Sequence, residues 1–224
     1  MKRFGVMVAL LSVLGLTIPA SAQVQVGVMG GLNLAKLNVD PDMGLDISNR
    51  TAFGAGGVLQ VGLAENLSLQ LQPMYLQKGA KGEGEFSDPE SGLSGKAETT
   101  AKAAFLEVPA MLKFNLSSGN TKPYIMAGPM IGFLLSNKQE IKITGSGFED
   151  YSEEVDIKDE TKSIDFGLGF GAGVSFPAGN NSLFVEGRYA LGLTNLNDDP
   201  EDSETSIKTR GIQVMAGVTF PLGQ

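Results

Sequence analysis

The chain of 224 residues contains no Cys, no His and no Trp, which excludes disulfides, thiolate metal sites and every mechanism built on a Ser-His or Asp-His pair. Its formal charge is −8, and an acidic chain without a basic stripe is a poor partner for nucleic acid. The length fits one barrel or one to two ordinary domains.

The chain opens Met1-Lys2-Arg3, runs through an apolar segment from Phe4 to Pro19 and reaches the small-x-small pattern Ala20-Ser21-Ala22. Residues 1–22 therefore read as a cleaved secretory signal peptide, leaving 23–224 as the folded domain; the apolar run is short for a retained membrane anchor. Without Lys2 and Arg3 the charge becomes −10. No later stretch has the continuous apolar length of a transmembrane helix, so a membrane-crossing chain of this sequence must be a closed barrel.

Eight stretches alternate: Gln23–Leu34, Thr51–Leu63, Leu67–Gln77, Lys102–Leu116, Pro123–Ser136, Lys162–Phe176, Ser182–Asn195 and Lys208–Phe220. Each is long enough to cross a bilayer as a tilted strand, for which about 9 to 11 residues suffice. The sixth shows the pattern most clearly. Ile164, Phe166, Leu168, Phe170, Ala172, Val174 and Phe176 fall on one face, and Asp165, Gly167, Gly169, Gly171, Gly173 and Ser175 on the other. A period of two is a strand, and a broad apolar face backed by a thin polar one suits a membrane barrel wall. The same parity turns Leu106, Val108, Leu112 and Phe114 outward and Glu107 and Lys113 inward in the fourth stretch. In the seventh it turns Leu183, Val185, Tyr189 and Leu191 outward and Glu186 and Arg188 inward.

The connections alternate as well. Ala64-Glu65-Asn66, Ser117–Lys122 and Pro177–Asn181 are short, whereas 36–50, 80–101, 137–161 and 196–207 are long and acidic. An even strand count with short turns at one end and long loops at the other predicts an all-β, eight-stranded antiparallel up-and-down transmembrane β-barrel with both termini in the periplasm. Outward aromatics cluster near the strand ends: Phe114, Phe176 and Phe220 predict one interfacial belt, and Phe53, Tyr75, Phe133 and Phe166 the other.

The segments Val28-Met29-Gly30-Gly31-Leu32-Asn33, Leu106-Glu107-Val108-Pro109 with Leu112-Lys113-Phe114, Lys122-Pro123-Tyr124 with Ala127-Gly128-Pro129, and Arg188-Tyr189-Ala190-Leu191-Gly192-Leu193 together resemble the outer-membrane-protein β-barrel domain family, often labelled "porin family", which includes the PorT-like proteins. The similarity covers nearly all of 23–220. It implies an eight-stranded outer-membrane barrel and brings no catalytic residues. Barrels of this kind usually end on a terminal aromatic, whereas Pro221-Leu222-Gly223-Gln224 follow Phe220 here.

Glu107, Lys113, Asp165, Glu186, Arg188 and Arg210 are the candidate lumen charge network; a barrel of eight strands is just wide enough to be filled by its side chains, so these charges are expected to pair rather than to line a pore. Asp40, Asp42 and Asp46, and Asp198, Asp199, Glu201 and Asp202, are candidate carboxylates for a hard cation in the loops, although Leu45 stands where an EF-hand requires Gly. The bland reading of these acids is a solvated surface, and no metal site is expected. Within the third long loop, Glu140–Thr144 and Glu154–Lys158 each alternate around Gly145-Ser146-Gly147, which predicts a hairpin. The expected protein is non-enzymatic, needs no cofactor, and serves as a monomeric envelope component that contacts outer-membrane lipid and meets a protein partner through its surface loops. A narrow porin-like channel is the alternative. A lipid-modifying enzyme of this architecture would lean on His, and a lipocalin-like soluble barrel would need large apolar residues inside, where the sequence reads as Gly, Ser, Gln and charge.

Overall fold

The computed structural model describes residues 23–40, 46–88, 93–146, 149–199 and 204–222; the segment read as a signal peptide lies outside them. The strands are β1 (Val24–Asp40), β2 (Asp46–Gly62), β3 (Leu67–Leu71), β4 (Met74–Asp88), β5 (Leu93–Asn115), β6 (Lys122–Ser146), β7 (Tyr151–Asp156), β8 (Ile164–Ala178), β9 (Asn181–Gly192) and β10 (Ser206–Leu222). All pairings are antiparallel, and β1 closes the sheet by pairing with both β2 and β10. Around the ring the order is β1, β2, the pair β3 and β4, β5, β6, β8, β9, β10. Eight wall positions result, because β3 and β4 share one.

The third expected strand is thus divided, and Pro73 is the reason. Proline has no N–H to give the ladder, so it interrupts the strand locally. Its carbonyl still accepts from the Gly57 amide at 2.9 Å. The register is unchanged across the gap, with Leu71 opposite Leu59 and Ala110, and Met74 opposite Gly56 and Glu107.

The short connections fall where the sequence placed them. At the β8–β9 turn Gly179 takes φ +65° as the first residue of a two-residue loop, the position that a tight hairpin reserves for glycine. The long connections, in contrast, are mostly strand. β4 and β5 stay paired up to Asp88 opposite Leu93, and β5 and β6 from Ser94 opposite Ser146. The hairpin of the third loop is present as β6 and β7, with Ile143 opposite Tyr151. A sheet of β4, β5, β6 and β7 therefore stands above one side of the ring.

The outward and inward rows follow the expected parity. Phe166 is 54% exposed and its neighbour Asp165 3%. Register shifts alter the pattern at two places, between β2 and β4 from Asn49 to Gly54 and between β5 and β6, where from Ala104 to Phe105 of β5 the partners on β6 jump from Ser136 to Leu134. Below this bulge the even positions of β6 point inward (Tyr124, Met126, Met130, Leu134); above it Asn137 does. The apolar exterior of β6 ends at Leu135, and Lys138, Glu140 and Lys142 continue the strand beyond it.

The interior differs from the expectation of Gly, Ser, Gln and charge alone. Met29, Val58, Met74, Leu76, Phe184 and Met215 form one buried cluster, and Met111, Tyr124 and Met126 another. The inward glycines make room for them. A Cβ on Gly169 would lie 3.0 Å from Met130 Sδ and 3.2 Å from Met111 Cε, and one on Gly217 only 2.5 Å from the Phe184 ring. Thin positions on one strand thus receive the long side chains of others, which fill the middle of the lumen.

Candidate functional site in the lumen and its mouth

Two ionic clusters lie inside the barrel. In the lower one Glu186 accepts three hydrogen bonds: from Gln72 Nε2 at 3.0 Å, from the Tyr124 hydroxyl at 2.9 Å and from Arg188 Nη2 at 3.4 Å. Lys113 sits 3.9 Å above the Tyr124 ring and donates to Gln60 Oε1 at 3.2 Å. In the upper cluster Lys78 bridges Glu107 at 2.5 Å and Asp165 at 3.1 Å, and the Thr209 hydroxyl donates to Asp165 at 2.8 Å. The Lys78 ammonium also lies 4.9 Å from the Phe105 ring centroid. Three buried cations, Lys78, Lys113 and Arg188, face three buried carboxylates, Glu107, Asp165 and Glu186. The lumen is therefore neutral overall, as the cost of burying unpaired charge requires.

Gly79 fixes Lys78. The register between β2 and β4 shifts just below this point, and Gly79 adopts φ +135°, where any Cβ would lie 2.0 Å from the Ala101 carbonyl. Arg50 holds the same segment from outside the ladder, donating to the Lys78 carbonyl at 2.9 Å.

Five of the six expected lumen charges are brought inside. Arg210 is the exception. It continues the outward row of Ile212 and Val214, and its Nη1 donates to the carbonyls of Gly192 at 2.6 Å and Thr209 at 2.9 Å. Sequence reasoning missed Lys78, although it extends the inward row of Ser68, Gln70 and Gln72; the strand was ended one residue early. Parity turned Gln72 inward, but its role, like those of Tyr124 and Thr209, depends on cross-barrel contacts that parity does not show.

Above the upper cluster two loops are stitched together over the mouth. Lys162 N donates to the Leu196 carbonyl at 2.9 Å, Asp198 N to the Glu160 carbonyl at 2.9 Å, and Thr161 forms a bridge with Asn197. Leu196 is buried against Phe105 and Leu134. Between these loops and the wall lies a cavity of about 350 Å³ that contacts Lys78, Asn137 and Thr209. A smaller cavity of about 120 Å³ opens at the short-turn end, beside Gln60, Ser68, Lys113 and Thr219. Between them Leu76, Met111, Gln213, Met215, Glu186 and Arg188 are at most 2% exposed, so side chains fill the middle of the lumen.

Of the expected belt residues, Phe53, Tyr75, Phe114, Phe166, Phe176 and Phe220 are exposed and Phe133 is half-buried on the outer face; Phe53 and Tyr75 stack with centroids 5.8 Å apart. Among the loop carboxylates, Asp40 ends β1, while Asp198 and Asp199 lie in the stitched loops. Asp42, Glu201 and Asp202, and the side chain of Asp46, lie outside the described residues. Among the described residues no group of three acids is placed to hold a metal ion.

The family model for the outer membrane protein β-barrel domain matches residues 19–198. The chain belongs to this family. Solved structures similar to it include Neisserial surface protein A, at 16% identity over 89% of this chain and 96% of that one with a TM-score of 0.39. The attachment invasion locus protein Ail of Yersinia pestis, crystallised with the heparin analogue sucrose octasulfate, is 15% identical over 88% and 99% at a TM-score of 0.35. The outer membrane protein OprG of Pseudomonas aeruginosa is 11% identical over 92% and 98% at 0.41. No curated protein matches the sequence.

Proposed function

We propose that this outer-membrane barrel is a non-enzymatic envelope component with a sealed lumen, its termini in the periplasm, and that it acts through the sheet and loops at its long-loop end, facing the cell exterior. The observation that supports this reading most is the filled midsection, where Arg188, Glu186, Met111, Gln213 and Met215 separate the two cavities. A narrow channel would need those side chains to leave a continuous wet path, and separating the buried Arg188 from Glu186 to open one is costly. The sheet of β4 to β7 offers the partner surface, and the acid of the loops keeps it solvated.

Planar-bilayer recording of the purified full chain tests the seal. Wild-type protein should show no unitary conductance, whereas the triple variant Met111→Ala, Arg188→Ala, Met215→Ala should conduct. Ohmic steps from the wild type would establish the porin reading instead. Surface protease on intact cells should cleave a tag inserted between Asp199 and Glu201 and spare one placed after Gln224; the reverse pattern would overturn the orientation.

A further inference from the structure

The lumen is neutral as a whole, but its charges are not shared evenly between its two clusters. In the upper one a single cation, Lys78, faces two carboxylates, Glu107 and Asp165. In the lower one two cations, Arg188 and Lys113, face one carboxylate, Glu186, which already accepts from Gln72, Tyr124 and Arg188. Lys113 is 5% exposed; it donates at 3.2 Å to the neutral oxygen Gln60 Oε1 and lies over the Tyr124 ring, and among the described residues no carboxylate pairs with it. It lines the cavity of about 120 Å³ at the short-turn end, together with Gln25, Gln60, Thr219, Lys122 and Glu65. That cavity is rich in donors. An ammonium has three N–H groups and no acceptor, so the oxygen of Gln60 must face Lys113 and its NH2 group points elsewhere. Gln25 likewise turns its oxygen to the Thr219 hydroxyl at 2.9 Å. Both NH2 groups are left without an acceptor among the described residues. Ser68 Oγ and Asn115 Oδ1 are also unpartnered, but they have no accessible surface and meet no ligand.

A buried ammonium without a counter-ion is costly, and water answers its hydrogen bonds but not its charge. We infer that the cavity at the short-turn end binds a small monovalent oxyanion, of the size and charge of acetate. A carboxylate brings two oxygens and only acceptors, which match the Lys113 ammonium and the NH2 groups of Gln25 and Gln60. The lining holds two cations, Lys113 and Lys122, against one acid, Glu65, a net charge of +1. One negative charge on the ligand is therefore balanced and a second is not. The volume of about 120 Å³ lies below the range for organic-ligand pockets, about 300–1,000 Å³, and suits an ion of a few atoms. Glu65 is exposed in the turn after β2 and repels the ligand, so it sets how tightly the anion is held.

The test uses protein purified from the membranes of expressing cells, placed in nanodiscs of zwitterionic phospholipid, with its glutamines labelled with ¹⁵N. Acetate is the probe and acetamide its uncharged counterpart, at an ionic strength held constant by a sulfonate buffer whose anion is too large for the cavity. The side-chain NH2 resonances of Gln25 and Gln60 should shift saturably with acetate, at least about tenfold more tightly than with acetamide. Lys113→Gln removes the cation and should abolish the saturable shift; Glu65→Gln removes the opposing charge and should tighten acetate binding several-fold. Folding of each variant is checked by the heat-dependent shift in gel mobility, and if Lys113→Gln does not fold, Glu65→Gln, a change in an exposed turn, decides. No saturable response to acetate, an equal response to acetamide, or acetate binding that either variant leaves unchanged overturns the proposal.

Discussion

The barrel interior and the sheet above it are both built on Lys-carboxylate pairs, yet the two regions use them in opposite ways. Inside, Lys78 is shared by Glu107 and Asp165 with all three side chains nearly inaccessible. Above, the outer face of β4 to β7 carries a diagonal ladder: Lys81 to Glu98 at 3.5 Å, Lys96 to Glu83 at 2.6 Å, Lys102 to Glu140, Lys142 to Glu140 at 2.9 Å and Lys138 to Glu154 at 2.6 Å. Some ladder charges directly opposite each other are alike, Glu83 against Glu98 and Lys102 against Lys138, and these find their partners on a diagonal. Water and salt screen that ladder, and each ion there can find another partner. A lumen ion has none. The difference locates where charge determines the fold and where it only dresses a surface.

The sharpest way to break the comparison is to remove one cation from each region. Lys78→Met leaves two buried carboxylates without their counter-ion, and loss of one partner of a buried pair costs about 3–5 kcal/mol. Urea unfolding of the barrel in liposomes should show that loss, and adding Glu107→Gln and Asp165→Asn should recover most of it. Lys138→Gln on the ladder should leave the unfolding midpoint where it was. Equal effects of the two variants would show that the lumen pair is hydrated like the surface one.

Much of this architecture was legible in the sequence because a strand in a barrel wall has only two faces. Parity placed Asp165, Glu107, Lys113, Glu186 and Arg188 inward, and the alternation of short and long connections gave the eight positions. Parity also argued against the expected lumen placement of Arg210, since it shares the outward row of Ile212 and Val214; its charge outweighed its position in the reading. The long loops were hidden for a physical reason. Lys81-Gly82-Glu83-Gly84-Glu85 alternates as a strand does, but its outer face is charged and its inner face small, so it lacks the apolar signal that marks a strand against lipid. The methionine filling was invisible for another reason. Gly169 and Gly217 look empty along the strand and are occupied only by side chains reaching across the lumen, which depends on register and on the bulge at Ala104 and Phe105.

Two glycines sharpen the contrast between inside and outside at a smaller scale. A Cβ on inward Gly173 would lie 2.5 Å from the Tyr124 ring and 2.7 Å from the Val185 carbonyl, whereas one on outward Gly187 meets nothing within 4 Å. Gly173→Ala therefore overpacks the lumen, at about 1–3 kcal/mol. It should also disturb the Tyr124 hydrogen bond to Glu186, while Gly187→Ala should stay within about 0.5 kcal/mol of the wild type. The same urea series measures both. Similar costs for the two would mean that the lumen at Tyr124 has slack the close contacts do not show.

The smallest effect expected is on the ladder itself, and it is read by titration rather than by stability. Hydrogen bonds from Lys102 and then Lys142 hold the Glu140 carboxyl down from 4.5 to about 2. A carboxyl with a lowered pKa in the folded state contributes stability that is complete above its unfolded value and lost as pH falls through the folded one. The window here runs from about 4.5 down to about 2, so mild acid at pH 5 leaves Glu140 ionised. A ¹³C titration of the glutamate carboxyls should show one midpoint near 2, moving toward 4.5 in Lys102→Gln. A wild-type midpoint at the ordinary value would mean that the ion pairs above the rim form no lasting contact. The sheet of β4 to β7 would then be held by its backbone ladder alone, and the contrast with the lumen would be one of presence against absence rather than of strength.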